Sequence, residues 1–273
     1  MAEIFYICEK VNESKNMEKM SRRKMLKLTA TAAAGAALLG LPATGAAQEN
    51  APKSGKKMKI MVIGAHPDDP ETGCGGTMAL LVKEGHEVVA LYLTRGEAGI
   101  EGKTHEEAAK IRVSEIENAC KVTGVRPKYL TQIDGNSEIN KDRYKEILAA
   151  VKEENPDVVL THWPIDSHRD HRICSVLTYD VWRQMGHSFE LYYYEVMTGV
   201  QTQNFRPDKF VNIDAVEATK EKACFCHASQ GMDELYTNYH RPMEIFRGMQ
   251  AGCKYAEAFI TQDQSKTGIF MPK

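Results

Sequence analysis

Residues 59–71 read KIMVIGAHPDDPE, and this stretch decides the fold class of the chain. Its first six residues form a short apolar run, which predicts a buried strand. His66, Asp68 and Asp69 follow at once, in a loop whose backbone Pro67 restricts. The stretch therefore predicts reactive polar side chains at the carboxyl end of a strand in the core.

Beyond this stretch, short β-rich runs alternate with longer runs of helical spacing. Strands are predicted at residues 59–64, 87–93, 129–133, 157–161 and 191–196, and helices at 76–84, 104–123, 141–153 and 168–185. Such alternation is typical of βαβ units and a parallel sheet. We therefore expect one α/β domain over residues 58–273: a Rossmann-like, doubly wound, mostly parallel sheet with helices on both faces.

Composition excludes several classes of protein. The 273 residues include 35 Lys and Arg against 37 Asp and Glu, so the chain lacks the basic surplus typical of nucleic-acid binding. No run of 18 or more apolar residues occurs, so we expect no membrane span in the mature protein. The seven cysteines are interpreted mainly as small buried hydrophobes, with a disulfide left open.

The first 47 residues have the pattern of an export signal. The pair Arg22 and Arg23 precedes an apolar run at 28–41, and small residues occupy 42–47. This order resembles a twin-arginine signal, and it predicts an exported, periplasmic protein. An N-terminal amphipathic helix or membrane anchor is the alternative. Residues 48–57 are expected to be a polar linker.

A second polar cluster, HWPIDSHRDH at residues 162–171, directly follows the predicted strand 157–161. Ligands of open doubly wound sheets bind at the carboxyl ends of the strands, where the strand order reverses. In a 3-2-1-4-5 order the first and fourth strands are neighbours at that point. Both clusters are then expected to meet in one crevice.

The residue types in these clusters are typical of a catalytic zinc site with one open position. His66 and Asp69 would come from the first loop, and His168 or His171, which are one helical turn apart, from the second. Asp68 would take a proton from a metal-bound water, whose pKa falls to about 7. One Zn²⁺ per chain is expected, although iron, cobalt or manganese would suit the same donors.

Several ordered motifs resemble the PIG-L/LmbE-like family of zinc-dependent N-acetylglucosaminyl deacetylases. They are the AHPDD loop and its continuation to residue 99, RVSEIENACKVTGV at 112–125, PIDSHRDHR at 164–172, HASQ at 227–230 and YAEAF at 255–259. The resemblance implies three zinc ligands, His66, Asp69 and His171. It implies that Asp68 is the general base, that His168 serves the oxyanion or the leaving amine, and that Asp170 orients His168. Trimers or hexamers are common among similar proteins.

The resemblance also implies that Arg112, in its RxxE motif, contacts substrate hydroxyls and that Asp134 faces the sugar. The alternative for Arg112 is a surface salt bridge with Glu115, three residues later. The alternative for Asp134 is a turn before Gly135.

Three further residues have two interpretations each. Trp163 could stack on a sugar ring or be a packed loop aromatic. His227 could approach the pocket or be a satisfied histidine at a helix end. Glu71 is expected to hold neighbouring site residues or cap the backbone rather than react itself.

We expect metal-assisted removal of acetyl from an N-acetylglucosamine-type sugar or glycoconjugate. The alternatives are a hydrolase of a non-sugar acyl-amide or thiol conjugate, and a non-catalytic carbohydrate-binding protein.

Overall fold

The computed structural model describes residues 57–265. The predicted export signal, and the predicted linker except its last residue, lie outside the described residues. Within the described part, no helix is long and apolar enough to cross a membrane.

The described residues form one α/β domain. The strands are β1 (Lys59–Gly64), β2 (Glu87–Thr94), β3 (Arg126–Gln132), β4 (Val158–His162), β5 (Glu190–Tyr194), β6 (Lys209–Asn212) and β7 (Ala256–Thr261). The α-helices are α1 (Asp69–Lys83), α2 (His105–Thr123), α3 (Lys141–Glu154), α4 (Arg169–Gln184), α5 (Glu217–Cys224), α6 (Met232–Leu235) and α7 (Arg241–Ala251). A 3₁₀ turn (Ala228–Gln230) and a π-helical turn (Tyr236–His240) flank α6.

The strands form one sheet in the order β3-β2-β1-β4-β5-β7-β6. Strands β1 to β5 are parallel, and β7 pairs antiparallel with both β5 and β6. The predicted 3-2-1-4-5 order is confirmed. The antiparallel strands β7 and β6, which extend the sheet beyond β5, were not predicted.

A hydrophobic core lies on each face of the sheet. Ile60 and Val62 of β1 face one core, while Met61 and Ile63 face the other, as the alternation of a strand requires. Helices cover both faces, so β1 is apolar along its length rather than alternating between apolar and polar. This confirms the doubly wound arrangement.

Helix α1 begins at Asp69, seven residues before the predicted start. The predicted start was wrong: residues 69–75 are helical as well, and Pro70 lies in the first turn of α1. Proline is tolerated in the first turn, where its missing N–H has no helical partner. A Cβ on Gly76 would lie 2.6 Å from Cγ2 of Ile213, so the glycine allows close packing of α1.

The C-terminal third fixes α1 through a buried charged group. Nζ of Lys220 lies 2.6 Å from Oε1 of Glu257 and 2.8 Å from Oε1 of Glu244. The backbone N–H groups of Gly76 and Thr77 donate to the Glu257 carboxylate at 2.8 and 2.7 Å. Because α1 begins at the AHPDD loop, these contacts help to position that loop.

All six cysteines in residues 57–265 are free thiols. Cys74, Cys120, Cys174 and Cys224 are buried, as expected, whereas Cys226 and Cys253 are partly exposed.

Candidate active site

The two polar clusters meet at the carboxyl ends of β1 and β4, which are hydrogen-bonded neighbours. They line a cavity of about 350 Å³ at the carboxyl ends of these strands. Its polar lining includes His66, Asp68, Asp69, Thr72, Arg112, Asp134, His168, His171, Gln201, Gln230 and His240. The predicted crevice is therefore confirmed.

His66 lies among three carboxylates. Its Nδ1 is 3.3 Å from Oδ2 of Asp69, and its Nε2 is 3.2 Å from both Oδ1 of Asp134 and Oδ2 of Asp170. Burial opposes protonation of the ring, but the hydrogen bonds to Asp134 and Asp170 prevail and raise the pKa of His66 well above its usual value. Asp134 and Asp170 hold Nε2, so Nδ1 is the nitrogen that faces Asp69.

His171 is oriented by a carboxylate on its far side. Its Nδ1 lies 3.2 Å from Oδ1 of Asp166, and its Nε2 lies 3.3 Å from Oδ1 of Asp69. A carboxylate that holds one ring nitrogen while the other faces the metal is a common support for zinc-bound histidine. Thr202 Oγ1 in turn donates to Asp166 Oδ2 at 2.9 Å.

The donors fit a metal ion. Zinc bonds of about 2.0–2.2 Å in a tetrahedral site place ligand atoms about 3.3–3.6 Å apart, close to the distances that join Asp69 to His66 and His171. Within residues 57–265, three groups have donor atoms within 4.8 Å of one another: His66, His168 and His171; Asp69, His162 and His171; and His66, Asp134 and Asp170. The three predicted ligands are spread over these groups instead of forming one of them. Nitrogen and carboxylate donors suit zinc, and also iron, cobalt and manganese.

Asp68 is held in an unusual backbone conformation at the start of α1. Its φ is 107°, a region that non-glycine residues enter only when their surroundings enforce it. Nη2 of Arg112 donates to Oδ2 of Asp68 at 2.9 Å and also to the carbonyl of Pro67. Burial raises the pKa of Asp68 to about 6, although Arg112 opposes this shift. A carboxylate that accepts a proton this readily suits a general base.

His168 caps the amino end of α4. Its Nδ1 accepts the backbone N–H of Asp170 at 3.3 Å, so in the neutral ring the proton lies on Nε2. Burial, together with the neighbouring histidines, lowers the pKa of His168. The carboxylate of Asp170 contacts His66 and accepts the N–H of Gly135 at 2.7 Å. The expectation that this carboxylate orients the His168 ring is therefore corrected: the contact between the two residues runs through the Asp170 backbone.

Arg112 points into the cavity instead of forming the surface salt bridge. Glu115 accepts hydrogen bonds from Ser229 N and Oγ, both at 2.7 Å, so it is engaged elsewhere. Besides Asp68, the Arg112 guanidinium approaches Asp134 Oδ2 at 3.8 Å. Asp134 combines both interpretations, because it precedes a glycine with positive φ and also lines the cavity.

Trp163 and His227 are not among the residues that line the cavity. The Trp163 ring packs edge-on against Tyr193, and its Nε1 donates to the carbonyl of Gln203 at 3.2 Å. These contacts match the packed loop aromatic. His227 is buried, with Nε2 3.4 Å from Oε2 of Glu71. The other Glu71 oxygen accepts the Tyr92 hydroxyl at 2.5 Å, a supporting contact of the kind expected for Glu71.

Two histidines of the site, His162 and His240, are not among the predicted site residues. His162, the first residue of the second cluster, stacks on His171 at 4.1 Å and lies 3.2 Å from Oδ2 of Asp69. Its position at the end of a strand was a usable signal. His240 lies on the π-helical turn, is buried and lines the cavity, and its Nδ1 has no hydrogen-bond partner in the described part of the chain. No motif marks it, although π-turns are frequent at functional sites.

Comparison with known proteins gives matches over the same region. A family model described as PIG-L: GlcNAc-PI de-N-acetylase matches residues 61–182. Diacetylchitobiose deacetylase from Thermococcus kodakarensis is 30% identical over 218 residues, covering 73% of this chain and 81% of that protein. The structure of N,N'-diacetylchitobiose deacetylase from Pyrococcus horikoshii superposes with a TM-score of 0.68 at 26% identity, covering 76% of this chain and 84% of that one.

The fold by itself does not decide the reaction. GalB, the 4-carboxy-2-hydroxymuconate hydratase from Pseudomonas putida, superposes with a TM-score of 0.67 at only 21% identity, covering 78% of this chain and 99% of that one. The match to the Thermococcus deacetylase spans most of both chains. The chain therefore belongs to the PIG-L family of metal-dependent N-deacetylases.

Proposed function

We propose that the protein is a zinc-dependent N-deacetylase of N-acetylglucosamine-type sugars or glycoconjugates. One observation carries the proposal: the Asp68 carboxylate, held by Arg112, lines the same cavity as the crowded imidazole and carboxylate donors of His66, Asp69 and His171. The named activity of the Thermococcus relative supports this sugar class.

The protein's own residues account for holding the metal and moving the proton. Nδ1 of His66, the Asp69 carboxylate and Nε2 of His171 would hold zinc, which when bound acts as a Lewis acid and lowers the pKa of a water. Asp68 takes a proton from the attacking water and returns it to the amide nitrogen, so that the C–N bond breaks to give acetate and an amine. Nε2–H of His168 donates to the developing oxyanion.

The remaining polar lining would orient the sugar. Arg112 and Asp134 lie on the same side of the cavity, 3.8 Å apart, where they can donate to and accept from sugar hydroxyls. Buried polar groups of this kind give specificity, because a ligand without the matching hydroxyl leaves them unpaired.

The test is acetate release from N-acetylglucosamine and N,N'-diacetylchitobiose by the purified, zinc-loaded protein. Asp68→Asn keeps the size of the side chain but removes the base, and we expect it to lower kcat by about 100-fold or more. Asp142→Asn, on the exposed face of α3, is the matched control and should retain full activity. Zinc-loaded protein that releases acetate from non-sugar acyl-amides alone would move the assignment to that alternative. Sugar binding without turnover of any amide would favour the carbohydrate-binding alternative.

We also propose export by the twin-arginine route, on the pattern of residues 21–47. Replacement of Arg22 and Arg23 by lysine should retain the protein in the cytoplasm, which fractionation and protease protection would show. Unchanged export of this variant would contradict the route.

A further inference from the structure

A tight turn in the loop between β2 and α2 packs against the side chain of Arg112. The turn comprises residues 96–99, with a glycine at each end, and the N–H of Gly99 donates to the carbonyl of Gly96 at 3.1 Å. We call residues 96–99 the glycine turn. The Arg112 side chain is only 3% exposed, so the backbone that packs against it limits where its guanidinium can lie.

Both glycines leave room for the guanidinium. A Cβ on Gly99 would lie 2.4 Å from Nη1 of Arg112 and 3.2 Å from its Cζ, and a Cβ on Gly96 would lie 2.4 Å from Cδ and 2.7 Å from Nε. Because unbonded heavy atoms pack about 3.5 Å apart, either Cβ would displace the side chain by about 1 Å. The glycine turn can therefore approach one edge of Arg112 only because it carries no side chain at these two positions.

The other edge of the guanidinium holds the proposed base. Nη2 of Arg112 donates to Oδ2 of Asp68 at 2.9 Å and also to the carbonyl of Pro67. An arginine side chain is flexible, so the fold could accommodate a Cβ at the glycine turn by moving the guanidinium. A movement of about 1 Å would break its contact with Asp68, and misplacements of this size are costly in catalysis.

Hydrogen bonds to other parts of the cavity wall hold the glycine turn in place. Glu97 is buried, and its carboxylate accepts the backbone N–H of Asp134 at 3.2 Å and Nε of Arg95 at 3.1 Å. The carbonyl of Gly99 accepts Nε2 of Gln230 at 3.0 Å. Asp134 and Gln230 both line the catalytic cavity, so the turn is fixed relative to the site.

The two glycines differ in what their backbone requires. Gly96 has a φ of 72°, in the left-handed region that favours glycine whatever lies beside it. The φ of Gly99 lies outside this region, so its backbone conformation does not call for glycine. Contact with Arg112 is therefore the feature of the structure that requires glycine at position 99, and alanine there tests that contact alone.

We infer that Gly99 is a positioning residue: the lack of a side chain at this position keeps the Arg112 guanidinium against the Asp68 carboxylate. Gly99 touches neither reacting atom and acts through Arg112. The inference rests on the proposed function, which makes Asp68 the base, and adds the element that holds the partner of this base from its far edge.

The test is a double-mutant cycle on the full-length, zinc-loaded protein, with acetate release from N,N'-diacetylchitobiose as the activity. We expect Gly99→Ala to lower kcat/KM about tenfold or more with the zinc content unchanged. Lysine has no Nη1, so a Cβ at position 99 has room beside it. In the Arg112→Lys protein we therefore expect Gly99→Ala to lower kcat/KM by about twofold or less, because residues in contact are not additive.

Gly102→Ala is the matched control. Gly102 lies in the same loop with a φ of 75°, and among the described residues nothing lies within 4 Å of a Cβ built on it. The variant therefore strains the loop without touching Arg112, and it should retain activity. Equal losses in Gly99→Ala and Gly102→Ala would overturn the inference, and so would an equal effect of Gly99→Ala with and without Arg112→Lys. Loss of zinc from Gly99→Ala would also overturn it, because the change would then act on the metal site.

A structural measurement separates this inference from the proposed function. A crystal structure of the Gly99→Ala protein should show Nη2 of Arg112 moved out of hydrogen-bonding distance of Oδ2 of Asp68, whether or not the protein turns over any substrate. An intact contact between these two atoms would overturn the inference even if activity falls. Wild-type protein that releases no acetate, combined with a displaced Arg112 in Gly99→Ala, would sink the proposed function and leave the positioning contact standing.

Discussion

The charged residues are arranged differently at the two ends of the parallel strands. We call the side of the sheet where the strands begin the amino edge, and the side where they end the carboxyl edge. At the amino ends of the strands, Lys59 and Arg126 alternate with Glu87 and Glu154, and each cation lies within 2.6–3.4 Å of both carboxylates. At the carboxyl ends, by contrast, carboxylates surround imidazole rings, and among the described residues Arg112 is the one guanidinium that lines the cavity. The first edge is neutral as it stands, whereas the second needs protons or a cation to balance its charge.

Burial separates the two edges further. The Arg126 side chain is 49% exposed, so water screens its pairs, and each pair contributes about 1 kcal/mol or less. The side chains of Asp69 and His171 are 4% and 2% exposed, so their charges interact strongly and are costly to leave unbalanced. The comparison indicates that the amino edge serves stability and that the carboxyl edge gives up stability for function. Changes at the two edges should therefore separate activity from stability.

Asp69→Asn should have the largest effect. It removes the carboxylate that faces both His66 and His171, so we expect loss of bound zinc and a fall in kcat/KM of about 1,000-fold or more. Metal content after dialysis and acetate release from diacetylchitobiose would measure this. Asp180→Asn is the control. Asp180 lies on α4 outside the cavity, and its carboxylate accepts a hydrogen bond from the Tyr144 hydroxyl. A variant with full zinc content and activity would remove Asp69 from the ligand set.

Arg112→Lys should rank second. The guanidinium reaches the Asp68 carboxylate and the Pro67 carbonyl together, whereas an ammonium lacks this forked geometry. We expect kcat/KM to fall about 10- to 100-fold with zinc content unchanged. The outcome that contradicts this role is full activity in Arg112→Lys combined with strong loss in Glu115→Gln, because it would restore the surface salt bridge as the functional contact.

Asp166→Asn should have a smaller effect. We expect it to lower the affinity for the metal rather than the turnover of the metal-loaded protein. Its carboxylate holds Nδ1 of His171 and accepts the N–H of His168 at 2.8 Å. Loss of such a supporting carboxylate typically weakens metal binding about 10- to 100-fold. Competition with a chromogenic chelator would measure the affinity, and excess zinc should restore most of the activity. Failure of excess zinc to restore activity would place Asp166 in catalysis itself.

The carboxyl edge was the more predictable of the two. The segment from β1 through Asp69 could be predicted because a buried strand and its polar loop are local in sequence, and the strand order then brought HWPIDSHRDH beside it. The start of α1 was missed because residues 69–75 include a proline and two glycines, which have low helix propensity. The close packing of Gly76 on Ile213 joins residues far apart in sequence, so no local pattern shows it. His240 comes from the C-terminal third, where a π-turn and an antiparallel strand pair leave no periodic pattern.

The smallest effect is expected at the amino edge, from Glu154→Gln. Hydrogen bonds from Arg126, with Lys128 adding to them, hold the pKa of Glu154 at about 2, below its usual value of 4.5. A lowered carboxylate pKa stabilises the fold above the unfolded value, and this stabilisation is lost as the pH falls from about 4.5 toward 2. Because Arg126 is half exposed, we expect Glu154→Gln to lower the free energy of unfolding by about 1 kcal/mol at pH 7, with no loss of zinc or kcat. The difference in stability between wild type and variant should vanish near pH 2.

Glu153→Gln is the control, because the Glu153 side chain is 71% exposed and contacts Lys128. It should leave the free energy of unfolding unchanged within about 0.5 kcal/mol. Urea titrations at pH 7, 4 and 2.5 would measure all three proteins, and a Glu154→Gln protein that loses activity at unchanged stability would mean that the two edges are coupled.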